Sequence, residues 1–178
     1  MTPADYRAFT VTSNNGLLRE ITALVKVALA ESLATMFKLN TPPVDVLSLW
    51  DTGATSTSIS KRLVSQLQLP PISKAHISCA GQPYESNVYM VDLHLPNGVT
   101  VKNVKVTEFE NNNRFDVLVG MDIITRGDFA ITNAGGKTVC SFRMPSAIEH
   151  IDYVGQSRHK SEAQAVIKRF KKKSKKRH

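Results

Sequence analysis

The segment that most constrains this chain is an apolar run, Val44–Trp50, which ends directly in the pentapeptide Asp51–Thr55 with the sequence DTGAT. The run has the length of a buried β-strand, so the acid stands where a strand ends and a tight loop begins. The glycine of the pentapeptide allows a second backbone segment to come close to that loop. Because turns of many kinds use Asp, Thr and Gly, the pentapeptide by itself also fits an ordinary turn after a core strand.

A second segment, far downstream, makes the pattern more specific. Val117–Val119 is another apolar strand, and it ends in Gly120, which is followed by Met121 and Asp122. An acid loop after one apolar strand and a glycine after another, in this order, is a stronger signal than either motif alone.

In the order in which they occur, these segments resemble the retroviral-type aspartic proteases (retropepsins), and most closely their cellular bacterial relatives. In that family an apolar strand runs into Asp-Thr-Gly-Ala, a flap hairpin follows, and an apolar-apolar-Gly segment passes behind the catalytic loop into a short helix. The matching segments are Leu47–Thr55, His76–Met90 and Phe115–Arg126, and Met121–Thr132 is similar to the bacterial branch. The resemblance covers roughly Ala8–Ser146 and implies a mostly β, closed-barrel-like fold with one or two short helices.

The same resemblance implies roles for the residues of the first loop. Asp51 would be the catalytic acid, Thr52 would hydrogen-bond across a dimer to hold two loops rigid, and Gly53 would leave room for water and substrate. Ala54 has no side-chain donor, whereas pepsin-like enzymes carry Ser or Thr there to bond the carboxylate and so stabilise its ionised form. We therefore expect a working pH about one unit nearer neutral than that of pepsin-like enzymes.

Thr55 and Met121 mark a departure from the viral pattern. Retroviral enzymes usually carry an acid at the first position and an arginine at the second, and these two form an ion pair beside the active site. Loss of both partners together can be nearly neutral, whereas loss of one would strand a charge. The resemblance further implies that Gly120, Met121 and Asp122 pack behind the active-site loop.

The flap is expected at Ile77–Tyr89, with its tip at Cys79, Ala80, Gly81 and Gln82. Gly81 would permit the turn at the tip, as glycines commonly do in mobile lids that exclude water. We interpret Cys79 as an inert small side chain, because no basic residue is adjacent in sequence.

The number of Asp-Thr-Gly loops bears on assembly. Pepsin-like enzymes carry two such loops in a longer chain, and this chain contains one. If the reaction needs two carboxylates, the second must come from another copy of the chain across a two-fold axis. Two carboxylates that share a proton can activate a water and protonate the leaving nitrogen in turn, and the aspartic-protease dyad is the standard example. The resemblance thus implies a homodimeric aspartic endopeptidase with Asp51 from each of two subunits at its centre.

Positive charge is concentrated at one end of the chain. The net charge is +8, yet Arg158–His178 holds ten Lys or Arg and one Glu, which gives +9 and leaves −1 for the other 157 residues. Length suggests one main domain, so we assign residues 1–146 to a protease-like domain and residues 147–178 to a basic extension.

Within the extension, Ser161–Gln164 has the form of a capping box, and apolar residues then follow helical spacing at Ala163, Val166, Ile167 and Phe170. This pattern predicts a short amphipathic helix that begins near Ser161. The nearly pure positive charge of Lys171–Arg177 predicts disorder after it.

Turn signals divide the first 146 residues into strands. Asn15-Gly16, Asn97-Gly98 and Gly135-Gly136 predict two-residue hairpins, and a change of phase at Lys102-Asn103 predicts a bulge or bend near Asn103. Short helices are expected at Ser60–Leu67, with Ser58 as its N-cap, and at Ile123–Arg126.

Other features bear on location and cofactors. Met1–Thr10 lacks the apolar core of a secretory signal, and Ile21–Phe37 is too short and polar to cross a bilayer. With two cysteines and no disulfide framework, we expect reduced thiols and a cytoplasmic location. The five histidines show no metal spacing, so we expect no metal and no cofactor.

The sequence leaves rival functions open. The first interpretation is an endopeptidase that holds extended peptide or protein substrates. A non-catalytic binding module with the same dimeric fold, or a protein that cleaves only its own linker around Pro145–Gln156, would carry the same motifs. The basic segment Arg158–His178 could contact nucleic acid or an anionic surface weakly, or could serve only solubility.

Overall fold

The computed structural model describes residues 6–39, 41–79, 82–110, 113–147 and 149–174. The chain divides into two compact units, Met1–Ser146 and Ala147–His178. The described residues form ten strands, which are β1 (Arg7–Thr12), β2 (Ile21–Leu29), β3 (Val44–Trp50), β4 (Ser58–Ser60), β5 (Ser73–Cys79), β6 (Gln82–His94), β7 (Thr100–Phe109), β8 (Val117–Val119), β9 (Asp128–Thr132) and β10 (Val139–Met144). The helices are α1 (Glu31–Phe37), α2 (Lys61–Gln66), α3 (Met121–Ile124) and α4 (Tyr153–Ser174), with a 3-10 turn at Ala134–Gly136.

A closed ring of strands forms the centre of the first unit. Seven strands pair in the order β2-β3-β8-β4-β7-β6-β5, and β2 also pairs with β6. The long strand β6 makes this closure possible, because residues 82–88 pair with β5 whereas residues 91–94 pair with β2. Six strands therefore form a barrel to which β5 is attached. The predicted mostly β, closed-barrel-like fold is confirmed.

The barrel is filled by the alternate, inward-facing residues of its strands. Strand β2 shows the pattern clearly, since Val25 and Val27 are buried while Leu24 and Lys26 are exposed. Burying one such aliphatic side chain contributes about 1.5–3 kcal/mol. The most deeply buried aliphatic residues of the unit are Val27, Ile59, Leu63, Leu67, Val91, Leu93, Val106, Val117, Val119 and Ile123.

A second, three-stranded antiparallel sheet has the order β1-β10-β9. Phe9, Phe142 and Phe129 are paired across its three strands and thus lie on one face. That face packs on Trp50, the last residue of β3, with ring centroids 5.4 Å from Phe9, 4.9 Å from Phe142 and 5.8 Å from Phe129. The second sheet therefore stabilises the end of the strand that leads into the DTGAT loop.

The turns differ in part from the sequence prediction. Asn97-Gly98 does join two paired strands, β6 and β7, although the turn between Leu95 and Val99 has three residues. Asn15-Gly16 joins no hairpin, because β1 pairs with β10 and β2 pairs with β3 and β6. Gly135-Gly136 lies in a longer connection between β9 and β10 that contains the 3-10 turn. Turn residues mark where the chain bends, but partner strands are chosen by burial across the whole unit.

The bulge predicted near Asn103 is present. Val91 pairs with Val104 and Leu93 pairs with Val101, so β7 carries one residue more than β6 between these pairs. Asn103 takes a left-handed backbone conformation with φ 56°. The buried Asp92 accepts a hydrogen bond from the Asn103 N–H at 2.8 Å and another from the Glu31 N–H at 3.1 Å. One carboxylate thus ties the bulge to the start of α1.

Two helices of the first unit lie close to their predicted places, and α1 was not anticipated. Helix α2 begins after Ser60, whose Oγ accepts a hydrogen bond from the Leu63 N–H at 3.1 Å. The predicted N-cap, Ser58, instead begins strand β4. Helix α3 starts directly after Gly120, two residues before its predicted start.

The second unit contains α4, which is longer than predicted. It begins at Tyr153, where Asp152 Oδ1 accepts hydrogen bonds from the N–H groups of Val154 and Gly155 at 2.9 and 3.0 Å. Ser161 lies inside the helix, and its hydroxyl donates to the Ser157 carbonyl at 3.0 Å instead of capping a new helix. The helix continues through positions 171–174, where the sequence predicts disorder, because lysine is a good helix former. Positions 175–178 lie outside the described residues.

No helix in the described part of the chain is both long enough and apolar enough to cross a membrane.

Candidate active site

The DTGAT loop begins at the end of β3, which is paired with β2 on one side and with β8 on the other. Strand β3 pairs in parallel with β8. The pairing extends one residue past the end of β3, where the Asp51 N–H donates to the Val119 carbonyl at 3.0 Å. The chain then turns, with the Ala54 N–H donating to the Asp51 carbonyl at 3.2 Å. Asp51 thus leaves the sheet from a fixed backbone position.

The Asp51 carboxylate is oriented by its own loop. Its Oδ1 accepts a hydrogen bond from the Gly53 N–H at 2.8 Å. Within the described part of the chain, no other group donates to this carboxylate, and Ala54 has no hydroxyl with which to do so. Asp51 is half-buried, whereas Thr52, Gly53 and Thr55 are exposed. One oxygen of the carboxylate is therefore held while the other is available to a ligand.

A second loop packs against the first from behind. The Met121 N–H donates to the Ala54 carbonyl at 2.8 Å, and the Asp122 N–H donates to the Thr55 carbonyl at 3.2 Å. Both bonds join backbone groups, so they do not depend on the side chains of Thr55 and Met121. The DTGAT loop is thereby fixed to the first turn of α3.

Gly120 makes this close approach possible. A Cβ at this position would lie 2.6 Å from the Ser56 carbonyl carbon and 2.7 Å from its oxygen. Such distances are shorter than any real Cβ contact, and the atoms met are backbone atoms that cannot rotate away. The residue has φ −94°, so the requirement for glycine comes from space and not from backbone strain.

Thr57 connects the two loops from inside. Its side chain is buried, its Oγ1 donates to Asp122 Oδ1 at 2.7 Å, and it accepts a hydrogen bond from the Gly120 N–H at 3.1 Å. Asp122 therefore acts as a hydrogen-bond acceptor that holds the loop pair together. Sequence reasoning missed Thr57. The signal that could have found it is its place as the last of three consecutive hydroxyl residues, Thr55 to Thr57, directly before strand β4.

A cleft of about 320 Å³ opens beside the Asp51 carboxylate. Its floor is aromatic, because Trp50 and Phe129 are stacked with an interplanar angle of 4°. The half-exposed Ile131 extends this apolar wall toward solvent. The remaining lining residues are Arg19, Glu20, Ile21, Leu49 and Thr52. A carboxylate thus stands beside a groove that is lined by apolar as well as charged residues.

The cleft also contains a buried indole nitrogen and an ion pair. The buried Nε1 of Trp50 has no hydrogen-bond acceptor among the described residues. At the rim, Glu20 forms an ion pair with Arg114. Among the described residues, no three His, Cys, Asp or Glu side chains are grouped so that they could hold a metal ion.

Residues 35–126, just over half of the chain, match the family described as "gag-polyprotein putative aspartyl protease". The matched region contains both loops, from the strand before Asp51 to the end of α3.

The chain belongs to this aspartyl protease family. The mostly β barrel with its paired loops is the retropepsin-like fold.

Solved structures similar to this family member include a retropepsin-like aspartic protease from Rickettsia conorii, with 12% sequence identity and a TM-score of 0.46 over 78% of this chain and 95% of that chain. The retroviral protease-like domain of Ddi1 from Leishmania major is similar with 14% identity and a TM-score of 0.37, over 60% of this chain and 78% of that chain. No curated protein sequence matches the chain.

The predicted flap of this aspartyl protease family member coincides with strands β5 and β6. These strands pair antiparallel as far as Cys79 and Gln82. The other two predicted tip residues, Ala80 and Gly81, lie outside the described residues, as do the side chains of Cys79 and Gln82. Tyr84 on β6 is 44% exposed and lines a second cavity, of about 270 Å³, with Glu85 and Glu108.

At the base of the same strand pair, the Tyr89 hydroxyl donates to Glu108 Oε2 at 2.8 Å. Burial raises the pKa of Tyr89, and the hydrogen bond to Glu108 raises it further. Tyr89 therefore stays protonated and joins β6 to β7 at the end of the predicted flap.

Proposed function

We propose that this protein is an aspartic endopeptidase and that residues 1–146 are its catalytic domain. The observation that carries the proposal is the geometry of Asp51. Its carboxylate is held on one side by the Gly53 N–H, and the loop that bears it is fixed by the Met121 and Asp122 N–H groups. A carboxylate in a preorganised loop beside a partly apolar groove is suited to acid–base catalysis on a bound peptide.

The reaction needs a second carboxylate, and Asp51 of a second copy of the chain would supply it. In the dimer one Asp51 is ionised and takes a proton from a water, which attacks the scissile carbonyl carbon. The other Asp51 is protonated and gives a hydrogen bond to the carbonyl oxygen, and the proton taken from the water is then passed to the leaving nitrogen. Two carboxyl groups this close share one proton, because both cannot ionise together.

The surface around Asp51 supports association with a second copy. Leu17, Leu18 and Ile131 are 63%, 36% and 47% exposed. The Leu18 N–H bonds to the Thr138 hydroxyl at 2.9 Å, which places the loop before β2 beside the start of β10. Ile131 is paired with Cys140 on the neighbouring strand and lines the Asp51 cleft. These exposed apolar side chains would be covered when two DTGAT loops meet across a two-fold axis.

An extended peptide is the substrate class that this groove fits. Peptide main chain can add to the strands as another strand, while alternate side chains enter pockets. Phe129 and Ile131 offer apolar surface for side chains beside the scissile bond. The buried Cys140 is a free thiol, which agrees with a reducing compartment such as the cytoplasm.

The test is to incubate the full-length protein with a diverse peptide pool across about pH 4 to 8 and to detect cleavage by mass spectrometry. Asp51→Asn is the matched inactive variant, since the amide keeps the size of the side chain and can still accept from Gly53. Cleavage by the parent protein and none by Asp51→Asn is the expected result. Sedimentation of both proteins should give the same dimer, which separates loss of chemistry from loss of assembly.

A dimer that leaves every peptide intact would favour the rival interpretation, a non-catalytic module that binds peptides through the same groove. A statine-type transition-state mimic provides a second criterion, because a working dyad should bind it far more tightly than a plain peptide of the same sequence. Intact-mass analysis after storage would reveal cleavage confined to residues 145–156, the outcome expected of a self-processing protein.

A further inference from the structure

The most strongly charged feature outside the Asp51 cleft is helix α4, Tyr153–Ser174. It contains seven Lys or Arg residues and one Glu, which gives +6, and the whole segment Arg158–His178 carries +9 against −1 for the rest of the chain. The first unit is thus close to neutral, so this positive charge is not a property of the folded body.

The cationic positions cover more than half of the helix circumference, an arc of about 220° that leaves the rest to the apolar stripe. Consecutive positions on an α-helix are 100° apart, so positions 171, 172 and 173, all lysine, together span 200° of its circumference. The seven cations lie between positions 158 and 173, a length of about 22 Å along the axis at about 1.5 Å per residue. A nucleic acid duplex presents a phosphate about every 1.7 Å of its axis. The helix carries one cation about every 3.2 Å, which is close to the spacing of about 3.4 Å between phosphates along one strand.

A membrane surface fits these observations less well. A flat anionic surface meets one side of a helix, and insertion into it requires a broad apolar face on the other side. The helical spacing places Ala163, Val166, Ile167 and Phe170 on one side, a stripe of four residues that ends before the lysine run. A groove or a flexible single strand can meet cations on several sides at once, whereas a planar surface cannot.

From this arrangement we propose that α4 binds nucleic acid through its phosphates, without sequence preference. Lysines predominate among the cations, seven of the ten in Arg158–His178, and an ammonium group acts as a point charge for phosphate and does not read base edges. The proposal is independent of peptide hydrolysis at Asp51. Each binding contact would release condensed counterions, which makes the affinity fall steeply with salt.

The experiment measures the fluorescence anisotropy of a labelled 20-nucleotide single-stranded RNA of mixed sequence with the full-length protein, at NaCl concentrations from about 50 to 300 mM. The dissociation constant should be in or below the range of about 10⁻⁶ to 10⁻⁴ M that is typical of non-specific binding at physiological salt. The plot of log K against log salt should fall with a slope of about −0.7 for each phosphate contacted.

Two triple variants distinguish RNA binding by the helix from a general effect of the protein's positive charge. Lys171→Gln/Lys172→Gln/Lys173→Gln should weaken binding at least about 10-fold at low salt and reduce the magnitude of the slope by about 2, since each lost contact accounts for about 0.7. The matched control, Lys38→Gln/Lys105→Gln/Lys137→Gln, removes the same charge from exposed positions of the first unit and should change the affinity less than about 2-fold. Replacing the three helix lysines by arginine should preserve binding.

Three outcomes would overturn the proposal. These are an absence of binding at 50 mM NaCl, an equal loss in the two triple variants, and binding to vesicles containing phosphatidylserine under conditions in which the RNA stays free. The last result would assign the helix to an anionic membrane surface. Because Asp51→Asn retains α4, it should bind RNA as the parent does, so that failure of the protease proposal and failure of this one are distinguishable.

Discussion

The DTGAT loop and helix α4 are held together in different ways. At the loop, Thr57 bonds to Asp122 and to Gly120, residues more than sixty positions away, and all three lie beside the filled barrel. At α4, the side-chain hydrogen bonds at and after its start join residues two to four positions apart. The loop geometry therefore depends on the whole first unit, whereas the helix depends on its own sequence. Substitutions at the loop should lower the free energy of unfolding of the whole first unit. Substitutions in the helix should have small effects that stay within the helix.

The largest difference is expected from one glycine-to-alanine substitution in each region. Gly120→Ala should destabilise the protein by about 1–3 kcal/mol or more, because the new Cβ would overlap the Ser56 backbone. In Gly155→Ala, the added Cβ meets the Asp152 carboxylate that caps α4, so the disturbance should stay at the start of that helix and the first unit should be unaffected. Urea unfolding followed by tryptophan fluorescence reports on Trp50, the single tryptophan of the chain. Equal urea midpoints in the two variants would mean that the two loops are not in close contact.

A smaller effect is expected from removing the hydroxyl that joins the loops. Thr57→Val keeps the shape of the side chain but leaves the buried Gly120 N–H without its acceptor, which should cost about 1–3 kcal/mol. Thr57→Ser retains the hydroxyl and should lose less. Peptide cleavage should fall in the valine variant and return in the serine variant, because the hydroxyl positions the loop that bears Asp51. A fully active and stable Thr57→Val protein would contradict this account.

The buried thiol provides a test through reactivity. Burial raises the pKa of Cys140 to about 11, so little thiolate exists in the folded protein at pH 8. In a Cys79→Ser background, reaction with a chromogenic disulfide at pH 8 should be slow and should become rapid in urea. Since the folded pKa lies above the unfolded value, the stabilising contribution of the neutral thiol is complete below about pH 9 and is lost as the pH rises toward 11. Rapid reaction without urea would show that β10 opens locally.

The smallest effect is expected in α4. Ala163→Gly should cost about 1 kcal/mol of helix stability without changing the unfolding midpoint of the first unit. Far-ultraviolet circular dichroism should lose helical signal, while tryptophan fluorescence during urea unfolding stays the same. A shift of both signals would show that the two units unfold together.

Local sequence was sufficient for much of the fold and for the centre of the candidate site. The apolar run before Asp51 and the bulge at Asn103 follow from neighbouring residues, because strand burial and backbone freedom depend on local side chains. Gly120 became informative only through its order relative to the distant DTGAT loop, since its need for glycine comes from contact with the Ser56 backbone. Helix α4 was predicted from spacing, but its start was not. Asp152 caps it, and the glycine that follows hides the helical signal.

The sequence by itself determined the residue types that make this site possible: an acid at a strand end, a glycine in each loop, and a basic segment at the far end of the chain. Only the tertiary structure decided that Thr57 lies between the loops and that Phe9, Phe129 and Phe142 support Trp50. It also decided that β1 pairs with β10, more than one hundred residues away, and not with β2. The physical reason is that strand pairing and side-chain burial are chosen by the lowest free energy of the whole unit, and residues distant in sequence contribute to that choice as strongly as neighbours do.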